Sequence, residues 1–380
     1  MDSASLESTE VCFEESVWCM PLVIGLADAG KFDRVFAVLL VFLNLGMQTA
    51  FSWVLLSDSF MGAAFDSNID HAKKWRTSVA HDYKFIDLAD TSLVSRVCSG
   101  DGALILSTTQ ANLINHINSF LGLKDGSLQA PFFRPGVLLC TVCIILWTLC
   151  VYKEFRSIWL QMEAAMTIPK RSTTKVRNHT FLSMSYGRFL LLLTTYIART
   201  AIATVLLVAG VLWLARTTSI EELMLNAVAL NAILDVDEFL FAGMLPLRYQ
   251  HAIRRLDPIK VSYSHGRSQA ESFLHFLSLG SLVLASYFLL IGPLSETMLT
   301  VIREMCGGTQ NFAVSYNSNT QRPYGLMTEI PGTARNLTHT ELAVESHKAT
   351  SPETLAGGCQ VKPLLLETFT VDQRFLHKRR

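Results

Sequence analysis

The stretch Ile220–Leu245 reads IEELMLNAVALNAILDVDEFLFAGML, and whether it crosses a membrane sets the threading of everything around it. Glu221, Glu222, Asp235, Asp237 and Glu238 interrupt an otherwise apolar run. Two readings are open: a transmembrane helix whose acids depress its hydropathy, or an amphipathic helix lying on a surface. The neighbouring segments are less ambiguous. A helix crossing hydrocarbon needs about 20 apolar residues. Val35–Leu56 meets that length, with Asn44, Gln48 and Thr49 as its polar exceptions. Val137–Tyr152 is shorter and gains a turn if it begins near Pro135, since proline is tolerated at a helix start. Phe189–Ala215 contains one charge, Arg199, and Phe273–Leu294 has His275 near its start. Trp53, Trp147, Tyr152 and Trp213 lie towards span ends, where interfacial aromatics collect.

The flanking charges choose between the two readings. Residues 153–188 hold Lys153, Arg156, Lys170, Arg171, Lys175, Arg177 and Arg188 against Glu154 and Glu163. Residues 246–272 hold Arg248, Arg254, Arg255, Lys260 and Arg267 against Asp257 and Glu271. Short cytoplasmic loops carry the Lys/Arg excess. Both basic loops fall on one side only if Phe189–Ala215 and Ile220–Leu245 both cross, as a helical hairpin turning near Arg216–Ser219. The expected fold is therefore all-α, a polytopic membrane bundle of about five spans. The acidic N-terminus 1–34 is cytoplasmic, and 35–56 is the first span and an uncleaved signal anchor, since no basic n-region precedes it. Residues 57–134 are external, 135–294 form a four-span bundle with cytoplasmic loops 153–188 and 246–272, and 295–380 are an external tail. The closing His377-Lys378-Arg379-Arg380 fits a cytoplasmic tail better and weighs against this topology. The triplet Asn336-Leu337-Thr338 is a glycosylation sequon on the expected outside, and Asn178-His179-Thr180 is a silent one inside.

Composition agrees with a chain largely in lipid. Half of the 380 residues are hydrophobic and 17% are charged, against about 25% in soluble domains, and mean hydropathy is +0.32. Lys+Arg and Asp+Glu balance at 32 each, which argues against a nucleic-acid partner. The expected partners are the bilayer and, at the external part, a protein; no cofactor or metal is expected. In 57–134, Leu106, Leu113, Ile114, Ile117, Phe120 and Leu121 form a helical apolar stripe ended by Gly122. That stripe suits a small helical cap or a helix on the bilayer surface. The tail 303–380 is rich in Thr, Ser, Asn, Gly and Pro and is expected to be mostly disordered.

Arg199 carries the most information, because a charge inside a span is costly and needs a partner or water. With the turn centred at Thr218, Arg199 and Asp237 are equidistant from it and share one depth. Asn231, Asp235 and Glu238 share one face of a continuous helix, which Arg199 could address, while Asp237 points about 200° away from Asp235. The set Arg199, Asn231, Asp235, Asp237 and Glu238 is thus either a polar locus for ions, protons or an anionic headgroup, or an ion pair that fixes the hairpin's register. In the first case the protein is transport- or channel-related. In the second it is a scaffold, receptor or accessory subunit. Asn44 and Gln48 are expected to bond between helices. Cys140, Cys143 and Cys150 read as packing residues. Cys98, Cys306 and Cys359 fall outside, where one disulfide, such as Cys98–Cys306, can form. Asp235-Val236-Asp237-Glu238 looks like a D-x-D motif, but on a helix its acids diverge, and no hydrolase, P-loop or dinucleotide motif is present. No enzyme activity is expected.

Two stretches carry a resemblance: Val97-Cys98-Ser99-Gly100-Asp101 with Leu104, Ser107, Gln110, Leu113 and Ile117, and Asn226-Ala227-Val228-Ala229-Leu230 with Ile233-Leu234-Asp235-Val236-Asp237-Glu238. Over about 57–260 the chain is similar to a group of uncharacterised multi-span membrane proteins of single-celled eukaryotes, including algae. The resemblance implies a shared membrane architecture and brings no activity.

Overall fold

Each long apolar run becomes a helix, and all of them extend beyond the apolar core read from sequence. In this computed structural model the described residues are 7–328, apart from breaks at 58–59, 61–64, 88–89, 102–104, 124–130, 178, 264, 318 and 320. The chain begins with strand β1 (Glu7–Val11), a 3-10 turn (Val17–Cys19) and the short α1 (Met20–Val23), then α2 (Lys31–Leu56). Helices α3 (Ser67–Ser78), α4 (Leu93–Cys98) and α5 (Thr108–Leu121) follow. Next come α6 (Pro135–Thr167), strands β2 (Lys170–Arg171), β3 (Lys175–Arg177) and β4 (Thr180–Ser185), and α7 (Tyr186–Arg216). After α8 (Ile220–Leu234), α9 (Val236–Met244), α10 (Leu247–Arg254) and β5 (Ile259–Tyr263), a long helix starts as α11 (His265–Ser286). It passes through a π-turn (Tyr287–Ile291) into α12 (Gly292–Cys306), followed by β6 (Phe312–Asn317) and β7 (Arg322–Met327). Four helices are long and apolar enough to cross a membrane: Lys31–Leu56, Pro135–Thr167, Tyr186–Arg216 and Gly266–Cys306. Phe42, Ile197, Phe276 and Phe288 on these helices stand exposed, as residues facing lipid do.

The chain divides into two units. The first comprises Met1–Ala63, Leu139–Thr217 and Glu221–Ile291. Within it α6 and α7 run antiparallel, because Trp147 Nε1 donates to Leu207 O at 3.4 Å and Tyr196 Oη to Gln161 Oε1 at 3.2 Å. Gly210 lets them approach: a Cβ there would lie 2.4 Å from the Trp147 indole nitrogen. Helix α11 also runs antiparallel to α6, joined by Arg267–Glu163 at 2.6 Å and Tyr152–Ser278 at 2.8 Å. α7 and α11 therefore leave from the same end of the unit. The chain returns to that end through α8 and α9, with Asn226 bonded to Thr217 at 2.9 Å beside the hairpin turn.

This return segment is not the continuous helix expected for Ile220–Leu245. It breaks at Asp235, where φ −85 and ψ 6 separate a 15-residue from a 9-residue helix. The acidic N-terminal segment packs into the first unit. Val17, Cys19, Met20 and Leu22 are fully buried and packed with Leu40, Tyr196 and Phe241, and Trp18 is 1% exposed. Their apolar side chains outweigh the acids around them, and β1 pairs antiparallel with β5 from Val11↔Ile259 to Glu7↔Tyr263.

The second unit comprises Ala64–Leu138, Thr218–Ile220 and Gly292–Arg380. Ile114, Ile117, Phe120 and Leu121 of α5 are buried in it, and Gly122 ends the helix at φ +68. Leu106 lies outside that face and is 57% exposed. The expected disordered tail is replaced, over its described part, by helix α12 and the β6–β7 hairpin. Composition hid both. α12 buries Met298, Leu299, Val301, Ile302 and Met305 along one face, and the hairpin needs no long apolar run because it pairs through its backbone. Residues 329–380, with Asn336, Cys359 and the basic end, lie outside the described residues, as does Asn178.

Candidate functional site

The antiparallel register of α6 and α7 sets Arg199 opposite Glu154. The Arg199 side chain is 3% exposed, its Nε donates to Glu154 Oε1, and its Nη2 donates to Glu14 Oε2 at 2.9 Å. Its Nη1 is buried with no hydrogen-bond partner among the described residues. Burial pushes the Glu14 carboxyl upward, but Arg199, with hydrogen bonds from Ser157 and Gln161, holds it below the ordinary carboxylate range. Burial pushes the Cys19 thiol up to about 12, so it stays protonated and is no nucleophile.

Asp237 forms a second centre beside this one. Ser16 Oγ donates to its Oδ2, and Gln48 Nε2 reaches its Oδ1 at 3.5 Å. Ser16 also accepts from Trp18 N–H at 3.1 Å, which caps the 3-10 turn and aims the hydroxyl inward. Asp237 is not a hydrogen-bond partner of Arg199; the two interact through charge alone. The other expected members turn away. Asn231 and Glu238 are exposed, and Asn231 Nδ2 donates to Asp235 Oδ2 at 2.8 Å. Asp237 lies on the other side of the helix from Asn231 and Glu238, and it is the Asp237 side that packs inward.

Glu154 and Glu14 are the members that sequence reasoning missed. The apolar run stops at Tyr152, which by sequence alone places Glu154 in the loop 153–188. The helix continues to Thr167, and the repeat Val151, Phe155, Ile158, Met162 and Ala165 was the available signal. Nothing local marks Glu14. One edge of the network meets a cleft of about 310 Å³ lined by Cys12, Glu14, Lys153, Arg156, Ser157 and Gln161. Asn44 is fully buried, and neither of its amide atoms has a partner among the described residues. Cys140 and Cys143 are buried in α6, and His275 lies beside Tyr152 with ring centroids 6.0 Å apart. Among the described residues no group of three or more His, Cys, Asp or Glu could hold a metal ion.

The second unit holds its own buried cluster. Cys98 and Cys306 form a disulfide with Cα atoms 5.7 Å apart. Arg96 pairs with Asp87 at 3.0 Å and with Asp101 at 2.6 Å, and all three side chains are largely buried. Arg76 donates to the carbonyls of Met305, Gly307 and Thr309, closing the C-terminus of α12. These contacts tie α3 and α4 to the C-terminal end of α12 within the second unit. Comparison of the chain with protein-family models, curated proteins and solved structures finds no match.

Proposed function

We propose that this multi-pass protein crosses the membrane five times and serves as a scaffold or accessory subunit, with Arg199 tying three segments together rather than handling a transported species. The double use of Arg199 carries this reading: one guanidinium joins Glu154 of α6 and Glu14 of the N-terminal segment to α7. Such a buried ion group adds little stability over an apolar substitute, while it constrains which segments meet. The basic end of the first unit is then cytoplasmic, and the Cys98–Cys306 disulfide supports an oxidising side for the second. The second unit would present the surface for a protein partner.

The decisive variant replaces the whole ion group by Glu14→Leu, Glu154→Leu and Arg199→Leu together. The expected outcome is a protein that inserts, purifies as one species and melts close to the wild type. Transport is the second reading, favoured by the excess of carboxylates, with Glu14, Glu154 and Asp237 set against one buried guanidinium. Potential-driven proton or alkali-cation flux in proteoliposomes, present in the wild type and lost in a well-folded triple variant, would overturn the scaffold reading.

A further inference from the structure

A cavity of about 910 Å³ opens at the end of the first unit from which α2, α7 and α11 start. Two walls supply its charge: Lys175 and Arg177 of β3, and Arg248 and Arg255 of α10 and its cap, with His179 and His251 beside them. Asp28 is the one carboxylate in the lining among the described residues, so four Lys/Arg against one Asp leave a formal charge of +3 there. None of these four cations forms an ion pair among the described residues. By contrast the adjacent Arg254 pairs with Glu15 at 2.7 Å. The pocket thus gathers positive charge that no described carboxylate pairs with.

The site is built rather than loose. The Asp257 N–H donates to His179 O at 3.2 Å, tying the two walls together. His179 adopts φ +63, a left-handed conformation rare outside glycine and kept where surrounding contacts enforce it. Arg248 donates to Asp28 O, fixing the rim. The floor is apolar, from Val23, Leu26, Ala27, Phe181 and Leu182. Cations converging over an apolar floor suit an amphiphilic anion, and the volume falls within the usual range for small-molecule sites. A single carboxylate or phosphodiester would leave much of the charge unanswered.

We infer that this cavity binds a multiply phosphorylated headgroup, with its phosphomonoesters on Lys175 and Arg177 of β3 and on Arg248 and Arg255 of α10 and its cap. The inference rests on reading the apolar helices as membrane spans, which puts the cavity at headgroup level beside a basic cytoplasmic surface. The ligand has two possible sources, a bisphosphorylated inositol phospholipid or a soluble inositol polyphosphate, and both share this chemistry.

The test uses the full chain reconstituted in phosphatidylcholine nanodiscs. Failure to reconstitute would count against the membrane reading itself, independently of the site. Short-chain bisphosphorylated phosphatidylinositol, phosphatidylserine and soluble inositol trisphosphate are then titrated, with binding read by calorimetry at low and high salt. Saturable binding of a phosphorylated headgroup is expected, at least tenfold tighter than phosphatidylserine and weakened by salt. Tighter binding of the lipid assigns a lipid source, and equal binding of inositol trisphosphate assigns a soluble one. The exposed pair Arg177→Gln/Arg255→Gln should weaken binding about tenfold or more, while Arg254→Gln, outside the cavity, should not change it. Absence of phosphorylated-ligand binding, or binding insensitive to Arg177→Gln/Arg255→Gln, overturns the proposal.

Discussion

Each unit contains a buried arginine held by two carboxylates, and the two differ in where those carboxylates come from. Arg96 takes Asp101 and Asp87 from 5 and 9 residues away. Arg199 takes Glu154 and Glu14 from 45 and 185 residues away. The first cluster can form as soon as one short segment folds. The second can form only after α6, α7 and the N-terminal segment have met. A local cluster shapes a loop; a distant one records the assembly of a bundle. The second unit also has a covalent tie between residues 208 apart, and the first has no disulfide among its described residues.

The comparison predicts unequal damage. Arg199→Leu should do the most harm, because it strands two carboxylates in a packed interior. A loss of about 3–5 kcal/mol is expected, read as a lower thermal midpoint of the purified protein. Recovery in the triple apolar variant separates this stranding from a lost contact. An undiminished midpoint in Arg199→Leu would break the comparison. Opening Cys98–Cys306 by Cys98→Ser should follow, with a cost of about 2–5 kcal/mol confined to the second unit. Limited proteolysis should then cut within 64–138 or 292–328 and spare α6 and α7. Arg96→Leu should cost less, about 1–3 kcal/mol. Its partner Asp87 keeps hydrogen bonds from Thr91 N at 2.8 Å and Thr91 Oγ1 at 2.6 Å.

The smallest effect concerns pH. Burial holds the His81 imidazole below its ordinary 6.5, with Arg76 adding to the shift and a contact to Phe312 O opposing it. The unfolded state therefore takes up a proton first as pH falls. The stability from neutral His81 is complete above about 6.5 and declines below it towards the lowered folded value. Hydrogen exchange in β6 should quicken as pH falls through that window, after correction for intrinsic rates, and a His81→Gln variant should lose this extra dependence. Exchange in α7 should not follow.

Much of the threading was legible in residues. The four apolar runs and the basic stretches 153–188 and 246–272 implied a hairpin of α7 with the segment after it, and the chain does return along the bundle there. Arg199 was identifiable as costly from its place in Phe189–Ala215 alone. Its partners were not. The expectation turned the face of Asn231, Asp235 and Glu238 toward Arg199, whereas the segment packs its opposite face, with Asp237, into the interior. Glu154 was hidden by ending a helix where its hydrophobicity ended, whereas α6 runs on to Thr167 and carries Glu154 against Arg199. The described part of the tail is the opposite case. Helix α12 is polar enough to resemble a linker, yet one of its faces is buried.

Periodicity and charge asymmetry are local properties of a chain, so the amino-acid order was enough to locate the apolar helices, their alternating direction and the basic end. Which carboxylates neutralise Arg199 depends on helix phase, on interhelical register and on the burial of Val17–Leu22 within the bundle. Those follow from packing between residues far apart in sequence, and only the tertiary structure reveals them, because no local pattern encodes a contact between Glu14 and Arg199.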